Sequence, residues 1–208
     1  MLILAALFIG SLFLFAYIAH EAVYEREDAF DARIHTYLLA HTTPAVISVA
    51  SDFTFLGSSL FLLPAYVLLV GVLIILQKKR YALDISIVAL SSFLMMQVLK
   101  QVFRRKRPGL PIIKAIDTYS FPSGHSLSSF IFCSILAYLL WKSKWHIVWK
   151  WIYTILLFVF AVAIGISRII LNVHFATDVI AGFCLGVMWV ILSFWVIEKI
   201  NRSRSLQQ

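Results

Sequence analysis

The sequence predicts an all-α fold: one integral-membrane domain, residues 1–208, built as a bundle of six transmembrane helices with an interfacial amphipathic helix. Composition is the first observation. The chain is 62% hydrophobic and 13% charged, whereas soluble domains run near ~45–50% apolar and ~25% charged. Its mean hydropathy of +0.92 excludes a soluble globule and a disordered chain alike. Segmentation is the second: apolar stretches separate cleanly at clusters of charge, and at ~20 residues per span the length holds about six. Open strands cannot cross lipid with their backbone groups unpaired, so the spans are helices.

The spans fall at 1–20, 53–76, 85–103, 126–141, 151–170 and 178–197. Residues 1–19 carry no Lys or Arg and no A-x-A cleavage pattern lies between Ala16 and Ala19, so a retained span is expected rather than a secretory signal. Segment 21–50 is charged at its start and then places Ile34, Tyr37, Leu38 and Ile47 at helix-like intervals, which reads as an amphipathic helix on the outer surface. Asp52 reads as a helix cap. Pro122 fits a first turn, so the fourth helix is expected to begin near Ser123. Trp141, Trp145, Trp149 and Trp151 frame the 142–150 loop as an aromatic belt. Cys133 and Cys184 lie inside apolar runs, so no disulfide framework is read from them.

Six spans put both termini on one side. Loops 77–84 and 142–150 and the tail 198–208 hold nine cations and two acids, and the opposite face holds nine cations and eight acids. Net charge therefore places the termini in the cytoplasm, although the strict Lys and Arg count ties. The tie comes from one dense block, Arg104, Arg105, Lys106 and Arg107, on the outer side. The excess of +7 on the inner side orients helices and does not imply nucleic-acid binding.

Polar residues at the rim of membrane helices are costly and tend to be functional. Three clusters lie on the outer face. Lys100 and Arg107-Pro108 are seven residues apart, about two turns, so they share a face if the helix persists to Pro108. Pro122-Ser123-Gly124-His125 at a helix start offers backbone N–H groups, a hydroxyl and close approach over glycine, the elements of a phosphate seat. Ser167-Arg168 is followed by His174 and then Asp178, four residues on, where a carboxylate can hold one ring nitrogen and leave the other as nucleophile or base. Singly these read as a snorkelling flank, a cap and a local hydrogen bond. Together at one face they point to an anion-handling site.

Those three signatures resemble the type 2 phosphatidic acid phosphatase superfamily at every motif position, across residues 100–178. The chain looks most like its small bacterial members that act on phosphatidylglycerophosphate or undecaprenyl diphosphate. The resemblance implies a bacterial plasma-membrane enzyme with its active site facing outside. It implies His174 as nucleophile through a phosphohistidine, Asp178 as its partner, and His125 as acid and then base. Lys100, Arg107, Arg168, Ser123 and the Gly124 N–H would hold the phosphoryl oxygens.

Arg104, Arg105, Lys106 and Lys114 are surplus cations, available for a second negative group on the substrate. The expected substrate is phosphatidylglycerophosphate, with undecaprenyl diphosphate as the alternative. A lipid transporter or non-catalytic binder is the reading from another class, and the charges sit at the rim rather than the midplane that transport favours. No cofactor is implied. Imidazole and carboxylate would suit zinc, but Lys100, Arg107 and Arg168 aimed at the same spot would repel a divalent ion. A serine-hydrolase elbow is missing.

Overall fold

The computed structural model describes residues 2–25, 29–113 and 118–205, and among them every regular element is helical. α1 (Leu2–Ala19) runs on into a π-helical turn, His20–Glu25. α2 (Ala29–His41) and α3 (Pro44–Leu56) follow, then α4 (Ser59–Ile75), α5 (Lys79–Phe103), α6 (Gly124–Trp141), α7 (Ile147–Ile170) and α8 (Ala176–Ser205). Five helices are individually long and apolar enough to cross a membrane, namely α1 with its π-helical turn, α5, α6, α7 and α8. Counting α3 and α4 together as one span, bent by 41°, makes a sixth.

The bend corrects the expected span over 53–76. Gly57 closes α3 and the extended backbone of Ser58 restarts the chain as α4. A side chain at Gly57 would strike the Ile164 side chain on α7 and lie 3.2 Å from His125 Cδ2. The break thus lets α7 pack against bare backbone beside the polar end of the bundle. The amphipathic segment 21–50 is also divided. It supplies the π-helical turn, α2 and the start of α3, and Thr43 caps α3 with Pro44 in its first turn. Asp52 lies within α3, exposed, and is not a cap.

Of the five long helices α6 is the most buried and packs on both α7 and α8, and α1 is the least buried. Between helices in lipid there is no hydrophobic driving force, so close packing over small residues does the work. Gly165 admits the Phe183 ring, Gly186 admits Phe130, and Gly182 lets α8 meet the start of α6. A Cβ at Gly182 would lie 2.7 Å from the Ser123 carbonyl oxygen and 3.0 Å from Ser126 Cβ. Leu127, Ile131 and Ile135 of α6 pack with Leu185 and Met188 of α8 and with Ile85, Val88 and Met96 of α5.

This packing yields a test. Gly182→Ala forces the start of α6 to shift and should cost about 1–3 kcal/mol, lowering the thermal midpoint of the detergent-solubilised protein. Gly71→Ala meets no atom within 4 Å and, inside a helix that favours Ala over Gly, should not lower the midpoint.

Candidate active site

The polar residues converge at one end of the bundle, where α5 and α7 finish and α6 and α8 begin. α7 ends in a turn that presents His174. The Arg168 carbonyl accepts the N–H groups of both Val173 (3.2 Å) and His174 (3.3 Å). Asn172 adopts a left-handed conformation, φ 52°, and its Nδ2 donates to the carbonyls of Gly109 and Leu110. Asn172 therefore closes α7 and does not cap the last helix. α8 starts only at Ala176, so His174 precedes its first turn.

Asp178 stands three residues into α8 and reaches back, its Oδ2 accepting from the Phe175 N–H at 3.0 Å. This is the return half of a capping box. The same oxygen lies 3.2 Å from His174 Nδ1. Since a carboxylate can only accept, Nδ1 carries the proton and Nε2 presents its lone pair. Arg107 Nη1 donates to that Nε2 at 3.1 Å and to the Val173 carbonyl at 2.7 Å. His174 is 2% exposed and Asp178 fully buried. Burial pushes the His174 imidazole down from 6.5 to about 4 even though Asp178 opposes the shift, with Arg107 and Arg168 adding to it.

The residues expected to form a phosphate seat gather around this pair. Lys100 Nζ donates to the Tyr119 carbonyl, and Arg107 Nε and Nη2 to the carbonyl and hydroxyl of Thr118. The two cations thus meet over one short segment. They do so by a different route from the one the spacing suggested: α5 stops at Phe103, and Arg104 turns left-handed with φ 48°. Lys100, Arg107, Arg168 and His174 all lie within electrostatic reach of His125. Lys100 Cε would be 3.9 Å from a Cβ at Gly124, so the glycine leaves an open approach there.

α6 begins at Gly124 with Ser123 as its cap, and Ser123 Oγ accepts from the Ser126 N–H (3.4 Å) and hydroxyl (3.0 Å). Ser123 N–H donates to the Asp178 carbonyl, which locks the starts of α6 and α8 together. Ser123 is fully enclosed, so its first duty is this cap. Arg168 is buried at the end of α7, with Nη1 on Thr54 Oγ1 at 2.7 Å, while its buried Nε has no partner among the described residues. Such a donor is costly unless something accepts from it.

The surplus cations separate. Arg104 is exposed and folds back on the Gln101 carbonyl, and Lys106 is exposed. Lys114 lies outside the described residues. Arg105 does not face a second anion: its side chain is 10% exposed, and it bonds Asp178 Oδ1 at 2.7 Å, Asp31 Oδ2 at 2.9 Å and Thr177 Oγ1 at 2.8 Å. The Phe175 ring covers its guanidinium. Asp31, Thr54, Thr118 and Thr177 are site-building residues that sequence reasoning missed. They are ordinary in local context, and only long-range pairing reveals them.

The PAP2 superfamily model matches residues 81–202. Phosphatidylglycerophosphatase B of Bacillus subtilis is 35% identical over 200 residues, covering 93% of this chain and 97% of that protein. Among solved structures, the transmembrane PAP2-type phosphatidylglycerolphosphate phosphatase of Bacillus subtilis superposes with a TM-score of 0.80 at 33% identity, covering 96% of this chain and 98% of that one. Aquifex aeolicus LpxE shares the fold, with a TM-score of 0.64 at 23% identity over 80% of this chain and 95% of its own.

The buried imidazole gives a measurable expectation. With its proton affinity lowered to about 4, His174 stays neutral through the range where a free histidine titrates. The unfolded chain, at about 6.5, takes up the proton first, so stability is present above that value and is lost as pH falls toward 4. In ¹⁵N spectra of histidine-labelled protein, His174 assigned by its absence in His174→Gln should titrate below pH 5, and a midpoint near 6.5 would contradict the geometry.

Proposed function

The chain belongs to the PAP2 superfamily, and from that premise we propose that it is a lipid phosphate phosphatase acting on the terminal phosphate of phosphatidylglycerophosphate. The observation that carries the reading is the orientation of His174: Nδ1 is held by Asp178 and Nε2 faces Arg107, a neutral nucleophile beside a cation. Phosphoryl transfer depends mainly on positioning and on spreading negative charge, and Lys100, Arg107 and Arg168 supply the charge that metal ions supply elsewhere.

In the proposed sequence Arg107 turns from Nε2 to a phosphoryl oxygen as substrate binds. Nε2 attacks phosphorus, the bond to the lipid oxygen breaks, and His125 gives its proton to the departing alkoxide. The ring becomes a cationic phosphohistidine while Nδ1–H stays on Asp178. Water then attacks phosphorus, His125 takes its proton, the N–P bond breaks and inorganic phosphate leaves. In this reading Arg168 Nε, buried without a partner among the described residues, and the first-turn N–H of Gly124 would donate to the phosphoryl oxygens.

Side-by-side hydrolysis tests the reading. Purified protein should release phosphate from phosphatidylglycerophosphate faster than from undecaprenyl diphosphate, at an unchanged rate in excess chelator. His174→Ala should abolish release, and His125→Ala should lower kcat by about 10²–10⁴-fold. Turnover by His174→Ala would sink the mechanism, and binding without any phosphate release would favour a non-catalytic lipid binder.

The proposed orientation puts both termini in the cytoplasm of a bacterial cell and the site outside. Lys78, Lys79 and Arg80 around the start of α5, and Lys142, Lys144 and Lys150 between the end of α6 and the first turn of α7, lie at the end away from His174. A membrane-impermeant thiol reagent applied to intact cells should label Leu110→Cys, an exposed position at the site end, and spare Lys144→Cys. The reverse pattern would invert the topology.

A further inference from the structure

We propose that Asp31, on the peripheral helix α2, is a positioning residue that acts through Arg105 on Asp178 and so sets the charge available to His174 during phosphoryl transfer. The inference rests on the phosphatase reading above and extends it to a residue in no motif.

Asp31 is 3% exposed, which is rare for a carboxylate unless it is paired. Its Oδ1 accepts from the Thr177 N–H at 2.9 Å, and Oδ2 accepts from Arg105 Nη2 at 2.9 Å and from the Thr177 hydroxyl. Thr177 N–H belongs to the first turn of α8, where no intrahelical acceptor exists. Asp31 therefore caps α8 from another helix, one residue ahead of Asp178. Arg105 completes the link, spanning Asp31 and Asp178 with its two terminal nitrogens.

The order of charges gives this chain its electrostatic role. From α2 inward it reads carboxylate, guanidinium, carboxylate, imidazole. With His174 neutral the row is one charge negative, and with the ring cationic in the phosphohistidine it is balanced. Arg107 and Arg168 act on the ring from the loop after α5 and from α7, Lys100 and His125 stand nearby on α5 and α6, and none of them supplies a negative charge. Without Asp31, Arg105 would lean wholly on Asp178, and the row would be one charge positive at the moment the ring becomes cationic. The loss falls on the transition state rather than on substrate binding.

Asp31→Asn keeps the shape of the side chain and an oxygen for the Thr177 N–H while removing the charge. It should lower kcat roughly tenfold, within the range of coupling through a shared network, with KM within about twofold of wild type. Asp31→Asn added to Asp178→Asn should cost no more than Asp178→Asn alone, because the path to His174 is already cut. Thr177→Val, which removes the hydroxyl shared by Asp31 and Arg105, should shift kcat the same way and carries the test if Asp31→Asn fails to fold. A wild-type kcat in Asp31→Asn, a change confined to KM, or losses that multiply in the double variant would overturn the inference. An active wild type with Asp31→Asn unaffected would overturn it alone, whereas a wild type that releases no phosphate would overturn the phosphatase reading as well.

Discussion

A carboxylate with no exposed surface, Asp178, sits at the head of an apolar bundle, and most of the site is organised by the need to keep it paired. Removing one partner of a buried ion pair costs about 3–5 kcal/mol, because the other charge is left stranded. Asp178 spends one oxygen on Arg105 and the other on His174 and the Phe175 N–H. These bonds tie two other pieces of chain, the loop after α5 and the turn before α8, to the first turn of α8, where Asp178 itself stands. Ser123 adds α6 by donating to the backbone carbonyl of the same residue. Fixing one buried charge thereby fixes the relative positions of the helix ends that carry the polar side chains.

The site is built almost wholly from helix termini, which suits an anion at a membrane edge. Helix starts leave N–H groups without intrahelical partners, and the Ser123 N–H on the Asp178 carbonyl brings the starts of α6 and α8 together. Helix ends let long cations extend beyond the apolar slab: Lys100 leaves the last turn of α5 and Arg168 the last turn of α7. The membrane keeps the helices parallel and close, so a few glycines at the crossings decide how near the termini can come.

What was legible in the sequence follows the range of the interactions. Spans were visible because hydropathy is local, and His174 with Asp178 because four residues separate them. The spacing worked through a route the periodicity did not foresee, since His174 lies ahead of α8 and Asp178 reaches back to it from the first turn. Lys100 and Arg107 were paired correctly for a reason that fails, because the helix ends four residues before Arg107 and the two meet over Thr118 and Tyr119 instead. Arg105 could not be placed from its neighbours. Its partner Asp31 is 74 positions away, and nothing in a run of cations says which one turns inward. The bend at Gly57 was hidden inside an apolar stretch that reads equally well as one straight helix.

That bend has a consequence for how such a protein can change over generations. The residue at position 57 has no side chain to vary, and adding one would displace Ile164 and crowd the His125 ring together. The path of a membrane span, the seating of α7 and the posture of the imidazole proposed as proton donor are thus tied to a single codon.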